Sequence, residues 1–595
     1  MISAHARRAG SLFYAVLLVL FAVLLLGAGS AVAAPPLSST AISRAHVPAG
    51  TATARITGAP ILGTSGQDVT PATAAATPVP SKGGQISRLK AALAFMTTNY
   101  PSLADFTPGP QDIFDYGIGH LWRQGIDGAG TTIALLEGWK DPNINKVVAS
   151  YDAALDLPNP KISTIFPAGP LPPTCPKGMQ VLGSYGSCSA WQGELELDVV
   201  TAHIIAPYAK ILLAVTPADT VLSADAAQNV APPEMMESVQ DIAANHLANV
   251  ISVSDGTGET TYPAGTAEIT AQDPGELAAA SAGIPFLGAT GDCGVVQNLA
   301  EANAQCEDAG TTPSTATWDD SPWVTAVGGS VPNVSAENGA KLGPDPLWHF
   351  APPNAEFSEG AGFSAVFGRP AYQDGVASIT GSDMRSVPDL TMDAQDGTSE
   401  AAPMLAGVLA LATQKNGADV GPINPALYGT LGPAGARDGI ADVVSGNNSA
   451  ETPDGQVLVP GFTAGPGFDV ASGWGTLYAP AFVPSLAAAT RASHEEAGAR
   501  RSAQQQLSSL ETTSISLAPQ RVAKGSTSFM SAGGFLPGYP VTLSIDGTEV
   551  ATLTTSTLGD VTYIIDPQTL GLAAGRHTVT LQSLLISDTA HFTSR

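Results

Sequence analysis

Between about residue 108 and residue 485 the chain alternates short apolar runs with longer stretches of helical period. Thr132–Glu137, Lys210–Val215, Asn249–Ser254, Ile284–Ala289 and Trp323–Val327 read as strands. Gly193–Ala206, Met235–Leu247 and Ala267–Ala282 read as helices between them. The strand runs are continuously apolar, the pattern of strands covered on both faces. Alternation with helices of ten or more residues then predicts an α/β fold, a parallel sheet flanked by helices. Such sheets carry their sites at the carboxyl ends of the strands.

The flanks have other patterns. Residues 490–512 are polar and rich in Ala, Gln, Arg and Glu, a linker with helical character. From residue 513 short alternating runs follow, at Ser514–Leu517, Val541–Ile545, Val561–Ile565 and Thr578–Leu581, with Asp546-Gly547 as a hairpin signal. Residues 513–595 are therefore expected to form a small immunoglobulin-like β-sandwich, without the Cys…Trp…Cys signature. At the other end Arg7 and Arg8 precede an apolar run from Leu12 to Ala28 and the small-residue site Ala31-Val32-Ala33. This reads as a signal peptide over 1–34; a retained membrane anchor is the alternative, and the small-residue site favours cleavage. Residues 35–107 are a low-complexity Ala/Thr/Pro/Ser-rich linker with one short amphipathic helix, marked by Ile86, Leu89, Leu93 and Met96.

Composition narrows the function classes. Of 595 residues 44% are hydrophobic and 13% charged, as in a globular protein. The 25 basic against 52 acidic side chains give a net charge of −27. That excess argues against nucleic acid as a main partner and suits an exported protein in an acidic medium, where protonation relieves self-repulsion. The four cysteines, Cys175, Cys188, Cys293 and Cys306, form two pairs with the same sequence separation. Two local disulfides are the natural pairing among three connectivities, and neither pair has metal-finger spacing.

Candidate chemistry centres on Asp396-Gly397-Thr398-Ser399-Glu400-Ala401-Ala402-Pro403, at the mouth of an apolar helical run. A serine in the first turn of a helix has unpaired main-chain amides beside its hydroxyl. That suits either a nucleophile that must stabilise an oxyanion or a plain N-cap. The nine histidines offer no partner in a recognisable motif; His203 reads as a core residue and His120 as a helix residue. Carboxylates offer more. Glu194 and Asp198 fall one helical turn apart on one face, with Glu196 on the opposite side. The pair reads as a proton-sharing general base or as a solvated helix face. Asp292, between glycines just past a predicted strand, reads as a site residue or a turn aspartate.

The ordered motifs resemble those of the sedolisins, serine-carboxyl peptidases with a subtilisin-like fold. They are Ile133-Ala134-Leu135-Leu136-Glu137, Gly193-Glu194-Leu195-Glu196-Leu197-Asp198, Ala206-Pro207-Tyr208-Ala209-Lys210-Ile211, Val250-Ile251-Ser252-Val253-Ser254, Gly291-Asp292-Cys293-Gly294, Ser321 to Gly329, Gly362-Phe363-Ser364 and Gly397-Thr398-Ser399. The resemblance implies a peptidase domain over 108–489. It makes Ser399 the nucleophile, Glu194 the general base, Asp198 its proton-sharing partner and Asp292, protonated, the oxyanion donor. Glu137 matches a glutamate that extends the carboxyl network in the kumamolisin branch; that branch has a tryptophan after the Ser-x-Ser strand, where this chain has Asp255. The resemblance also implies one calcium ion, held by the carboxylates of Asp442 and Asp469 and the carbonyls of Val443, Gly465 and Gly467. Two departures stand out. Residues 35–107 do not suit the family's large folded pro-domain, and the segment from Asp389 to Gly397 is short where the family builds part of its cleft.

The expected function is a secreted, extracellular, acid-acting serine-carboxyl endopeptidase. It would act on protein or peptide substrates, with no nucleic-acid partner and no stable membrane association after signal cleavage. The alternative is a secreted binding or adhesion protein on a catalytically retired peptidase fold. The C-terminal domain is left with binding polymer or a cell surface, or spacing the enzyme.

Overall fold

The computed structural model describes residues 82–99, 108–175, 188–216, 235–262, 265–270, 272–297, 306, 310–334, 342–350, 357–452, 454–492, 494–509, 515–535, 540–555, 561–583 and 586–595. The expected signal peptide and most of the expected N-terminal linker lie outside these residues.

Seven parallel strands form the central sheet: β1 Thr132–Glu137, β2 Lys161–Ile165, β3 Lys210–Val215, β4 Val250–Val253, β5 Phe286–Ala289, β6 Thr325–Ser330 and β7 Leu390–Asp393. Their order is β7-β6-β5-β4-β1-β3-β2, and every pairing is parallel. This is the expected subtilisin-like α/β arrangement of a parallel sheet flanked by helices.

Alternate side chains feed two separate cores, as a strand period of two requires. Ile133 and Leu135 of β1, with Ile211, Leu213 and Val215 of β3, enter one core. Ala134 and Leu136, with Leu212 and Ala214, enter the other. Five strands lie on the predicted runs, β1 and β3 residue for residue. Two were not predicted. β2 is an edge strand with no fully buried position, and β7 is only four residues long.

The main helices are α1 Lys82–Asn99, α2 Pro110–Asp115, α3 Ile144–Leu155, α4 Cys188–Ile205, α5 Met235–Asn245, α6 Asp273–Ala282, α7 Thr398–Asn416, α8 Ala479–Ala492 and α9 His494–Ser509. Helix α7 is buried from Ala401 to Thr413 and packs on both the sheet and α4. The close approach to α4 depends on Gly407, where an added Cβ would stand 2.7 Å from Ile205 Cβ. Helix α1 spans the predicted amphipathic helix, but it does not stand free in a linker. Its Leu89, Leu93 and Met96 enter the first core of the central sheet. Helix α9 falls in the stretch read as a linker and packs on α6, burying Ala503 against Leu277 and Ala280.

The C-terminal strands form two sheets. The smaller has strands Ser516–Ala518, Ser528–Ala532 and Val561–Ile565. The larger has Arg521–Val522, Pro540–Ile545, Thr548–Thr554, Gly575–Ser583 and Ile586–Ser594. Leu517, Met530 and Ile565 from one sheet and Val541, Leu543, Leu581 and Phe592 from the other share one core, which makes a sandwich.

Candidate active site

Ser399 is the second residue of α7, whose first turn leaves its amides without helical partners. Gly397 precedes the helix at φ 91°, a left-handed region that favours glycine. It has a second reason to be glycine, because a Cβ there would stand 2.8 Å from Asp292 Oδ2.

Asp292 arrives from the carboxyl end of β5 on the turn Thr290-Gly291. Its Oδ1 accepts hydrogen bonds from the Thr398 amide and the Thr398 hydroxyl, both at 2.9 Å. The Gly291 amide in turn donates to Thr398 Oγ1 at 3.0 Å. These bonds fasten the Asp292 turn to the start of α7 and leave Oδ2 beside Gly397. Burial raises the Asp292 carboxyl above its ordinary value, and the two Thr398 bonds oppose the rise. Glu359, another buried carboxyl, accepts from Thr290 Oγ1 at 3.2 Å and from the Gly329 amide.

Glu194 and Asp198 stand one turn apart on α4, as their spacing predicts. Desolvation raises Glu194 to about 8, opposed by a hydrogen bond with the Ser399 side chain and reinforced by the charges of Asp292 and Asp255. Asp198 is wholly buried and is raised by desolvation and then by Glu194; Ser254 opposes the rise. The Ser254 hydroxyl lies 2.9 Å from Asp198 Oδ1 and 3.1 Å from the Ser399 carbonyl oxygen, so it ties the acid pair to the α7 terminus. Glu137, the last residue of β1, is fully buried and raised by desolvation and by the charges of Asp198 and Glu194. Neither of its carboxyl oxygens has a hydrogen-bond partner among the described residues. Asp255, half-buried, is raised to about 7 by desolvation.

The four predicted residues therefore gather at one place: Ser399 at a helix start, Asp292 just past a strand end, and Glu194 and Asp198 on one helix face. Histidine takes no part. His203 is buried against Asp152 at 2.8 Å, and His120 is an exposed helix residue. Glu196, off the Glu194/Asp198 face, pairs with Asp141 and is raised to about 7 by desolvation and that neighbour. Sequence reading did not single out Ser254 or Thr398. Their contribution comes from hydrogen bonds across 56 and 106 positions of the chain. The one available signal was the Ser252-Val253-Ser254 ending of a largely apolar run.

Both expected disulfides form. Cys175 and Cys188 are bonded, as are Cys293 and Cys306, the second next to Asp292.

The predicted calcium ligands also come together. Asp442 Oδ2 accepts from the Gly467 amide at 2.8 Å, which joins the two turns. Asp469 accepts from the Gly465 amide at 2.7 Å and from the Ser472 amide at 2.8 Å. Asp442 Oδ1 is buried with no partner. An orphaned carboxylate oxygen on a glycine-rich turn to which a second carboxylate is also bonded fits a hard cation.

No protein-family model matches the chain. Among curated proteins it is similar to kumamolisin of Bacillus sp. (strain MN-32), 27% identical over 387 residues, covering 61% of each chain. It is similar to sedolisin of Pseudomonas sp. (strain 101), 27% identical over 262 residues and 41% of each chain. It is also similar to tripeptidyl-peptidase 1 of Bos taurus, 28% identical over 200 residues, covering 28% of this chain and 32% of the relative. The chain thus spans less than two thirds of the length of each of these relatives. The motifs, the sheet and these relatives agree, and together they support membership of the sedolisin family.

Proposed function

We propose that the chain is a secreted, acid-acting serine-carboxyl endopeptidase that hydrolyses peptide bonds through an acyl-enzyme on Ser399. The observation that carries this reading is the joining of Asp292 and Ser399 at one helix start. Two Thr398 hydrogen bonds hold Asp292 there, and Glu194 reaches the serine from the other partner helix.

The roles follow from the chemistry. Ser399 attacks the carbonyl carbon of the scissile bond while its proton passes to Glu194. The Glu194–Asp198 pair titrates as a unit. In its singly ionised form the negative charge rests on Glu194, where the Ser399 hydroxyl bonds it, and the proton stays on Asp198. The tetrahedral oxyanion is met by Asp292, which donates only while protonated. Collapse sends the proton from Glu194 to the leaving amine. Water then attacks the acyl carbon by the reverse of these steps, its proton passing to Glu194, and collapse breaks the bond to Ser399 Oγ, which takes that proton back as the acid product leaves. Ser254 positions Asp198 and takes no proton from substrate.

Calcium, when bound by Asp442, Asp469 and the carbonyls of Val443, Gly465 and Gly467, would fix the turns at the end of the domain. It supplies no step of the reaction. The two disulfides suit an oxidising compartment, which supports secretion. Among the described residues no helix is long and apolar enough to cross a membrane.

The test is digestion of an unstructured protein such as casein by the purified full chain across the acid range, with Ser399→Ala alongside. Wild type is expected to release internal fragments, and the variant to lose on the order of 10⁵-fold or more in rate, as for nucleophile removal in subtilisin-type sites. Fragments released only as tripeptides would replace the endopeptidase reading with an exopeptidase one. Undiminished acid proteolysis in Ser399→Ala would overturn the nucleophile. No cleavage at any pH by a folded wild type would favour the binding or adhesion reading.

A further inference from the structure

The residue after Ser399 opens a second acidic gathering that the proposed reaction does not use. Glu400 on α7, Asp393 at the end of β7 and Asp112 on α2 are each fully buried. One ligand-capable oxygen of each lies within 4.8 Å of the other two. Local donors hold the outward oxygens. Asp112 Oδ2 accepts from the Gly109 amide at 2.7 Å, and Glu400 Oε2 from the Asp396 amide at 3.0 Å. Gln395 donates its amide and its side chain to Asp393, at 3.1 and 3.0 Å. Asp112 Oδ1 and Glu400 Oε1 are left buried with no donor. None of the three acids has an ion pair among the described residues.

Three buried carboxyls with no cationic side chain need another positive partner. Protons can supply it one carboxyl at a time. A hard divalent cation meets all three, and an all-oxygen donor set of carboxylates is the kind that calcium takes. We propose that Asp112, Asp393 and Glu400 form a second cation site that ties α2 and the end of β7 to the first turn of the helix carrying Ser399. It is separate from the Asp442–Asp469 turns and does not depend on the peptidase reading.

The test counts calcium bound by the purified full chain after dialysis at about pH 6, above the ordinary carboxylate range, and records melting in the same buffer. Wild type, Asp469→Ala, Glu400→Gln and Asp393→Asn are compared. The expected result is that Asp469→Ala keeps one calcium per chain, whereas Glu400→Gln and Asp393→Asn each bind one fewer than wild type and melt lower in calcium. If Glu400→Gln and Asp393→Asn keep the wild-type count and melt higher, the acids hold protons and the proposal fails. Should both variants fail to fold, the Asp469→Ala count decides: retained calcium supports the second site, and none overturns it. The readouts are ion count and melting, so a chain without peptidase activity would leave the result intact.

Discussion

Asp389 and Asp198 are both completely buried in the same domain, and they are kept there by opposite means. Asp389 faces the Arg385 guanidinium through two hydrogen bonds, at 2.7 and 2.6 Å. The Tyr428 hydroxyl and the Ala326 amide, both at 2.8 Å, complete its partners. Asp198 has one hydroxyl partner, Ser254, and two acidic neighbours, Glu194 and Glu137. The first carboxyl is compensated by a fixed charge that persists across the working range. The second is comfortable only while the cluster holds protons. One region is built for permanence and the other for titration, and the titrating one contains the candidate nucleophile.

The difference has a sign in pH. Glu194, Glu137 and Asp198 are raised in the folded state relative to the unfolded chain. Between the unfolded value near ~4 and the raised folded value, about 8 for Glu194, the folded protein binds more protons. Stability is therefore fully present below about pH 4 and is lost as pH rises through that window.

The largest stability effect is expected on the permanent side. Arg385→Met leaves Asp389 buried without its cation and should cost about 3–5 kcal/mol. Denaturant melts at acid and neutral pH should show a similar loss at both. A loss confined to one pH would erase the distinction between the two regions. A smaller effect is expected where a metal ion takes the part of the guanidinium, at Asp442 and Asp469. Chelation, or Asp469→Ala, should remove stabilisation of about 2.7 kcal/mol where calcium stands at a hundred times its dissociation constant. A melting temperature indifferent to chelator, with no metal found by elemental analysis, would dismiss that site. The smallest effect is the most discriminating. Glu137→Gln keeps the shape of the side chain without its charge. Melting should be nearly unchanged in the acid range and should rise relative to wild type toward neutrality. A variant less stable than wild type at neutral pH would mean that Glu137 is held ionised.

These two regions differed also in how far the sequence foretold them. The parallel strands were readable because a strand buried on both faces is a continuous apolar run, and Thr132–Glu137 and Lys210–Val215 are such runs. β2 escaped because its edge position permits polar residues such as Lys161, Ser163 and Thr164. In the C-terminal sandwich, Thr548–Thr554 escaped because the strand is half-exposed along its length. At the site, Glu194 and Asp198 betrayed themselves by helical spacing and Asp292 by its glycine-flanked turn. Ser254, Thr398 and Glu359 gave no such sign, because each acts through a tertiary approach that local spacing does not encode. The Asp112, Asp393 and Glu400 gathering was hidden for the same reason. Asp393 and Glu400 stand on successive elements, and Asp112 joins them from a distant part of the chain.

The central claim is that carboxyl groups carry both the base and the oxyanion donor, and the pH dependence of the rate for wild type and Asp292→Asn on one peptide tests it most directly. Wild type should be fastest in the acid range and slow toward neutrality as Asp292 loses its proton. Asp292→Asn should be slower at the optimum by about 10²-fold, as for other oxyanion-donor removals, with its alkaline limb moved to higher pH. A wild-type optimum near ~8, where Glu194 alone would govern ionisation, or an alkaline limb that Asp292→Asn leaves in place, would contradict the account.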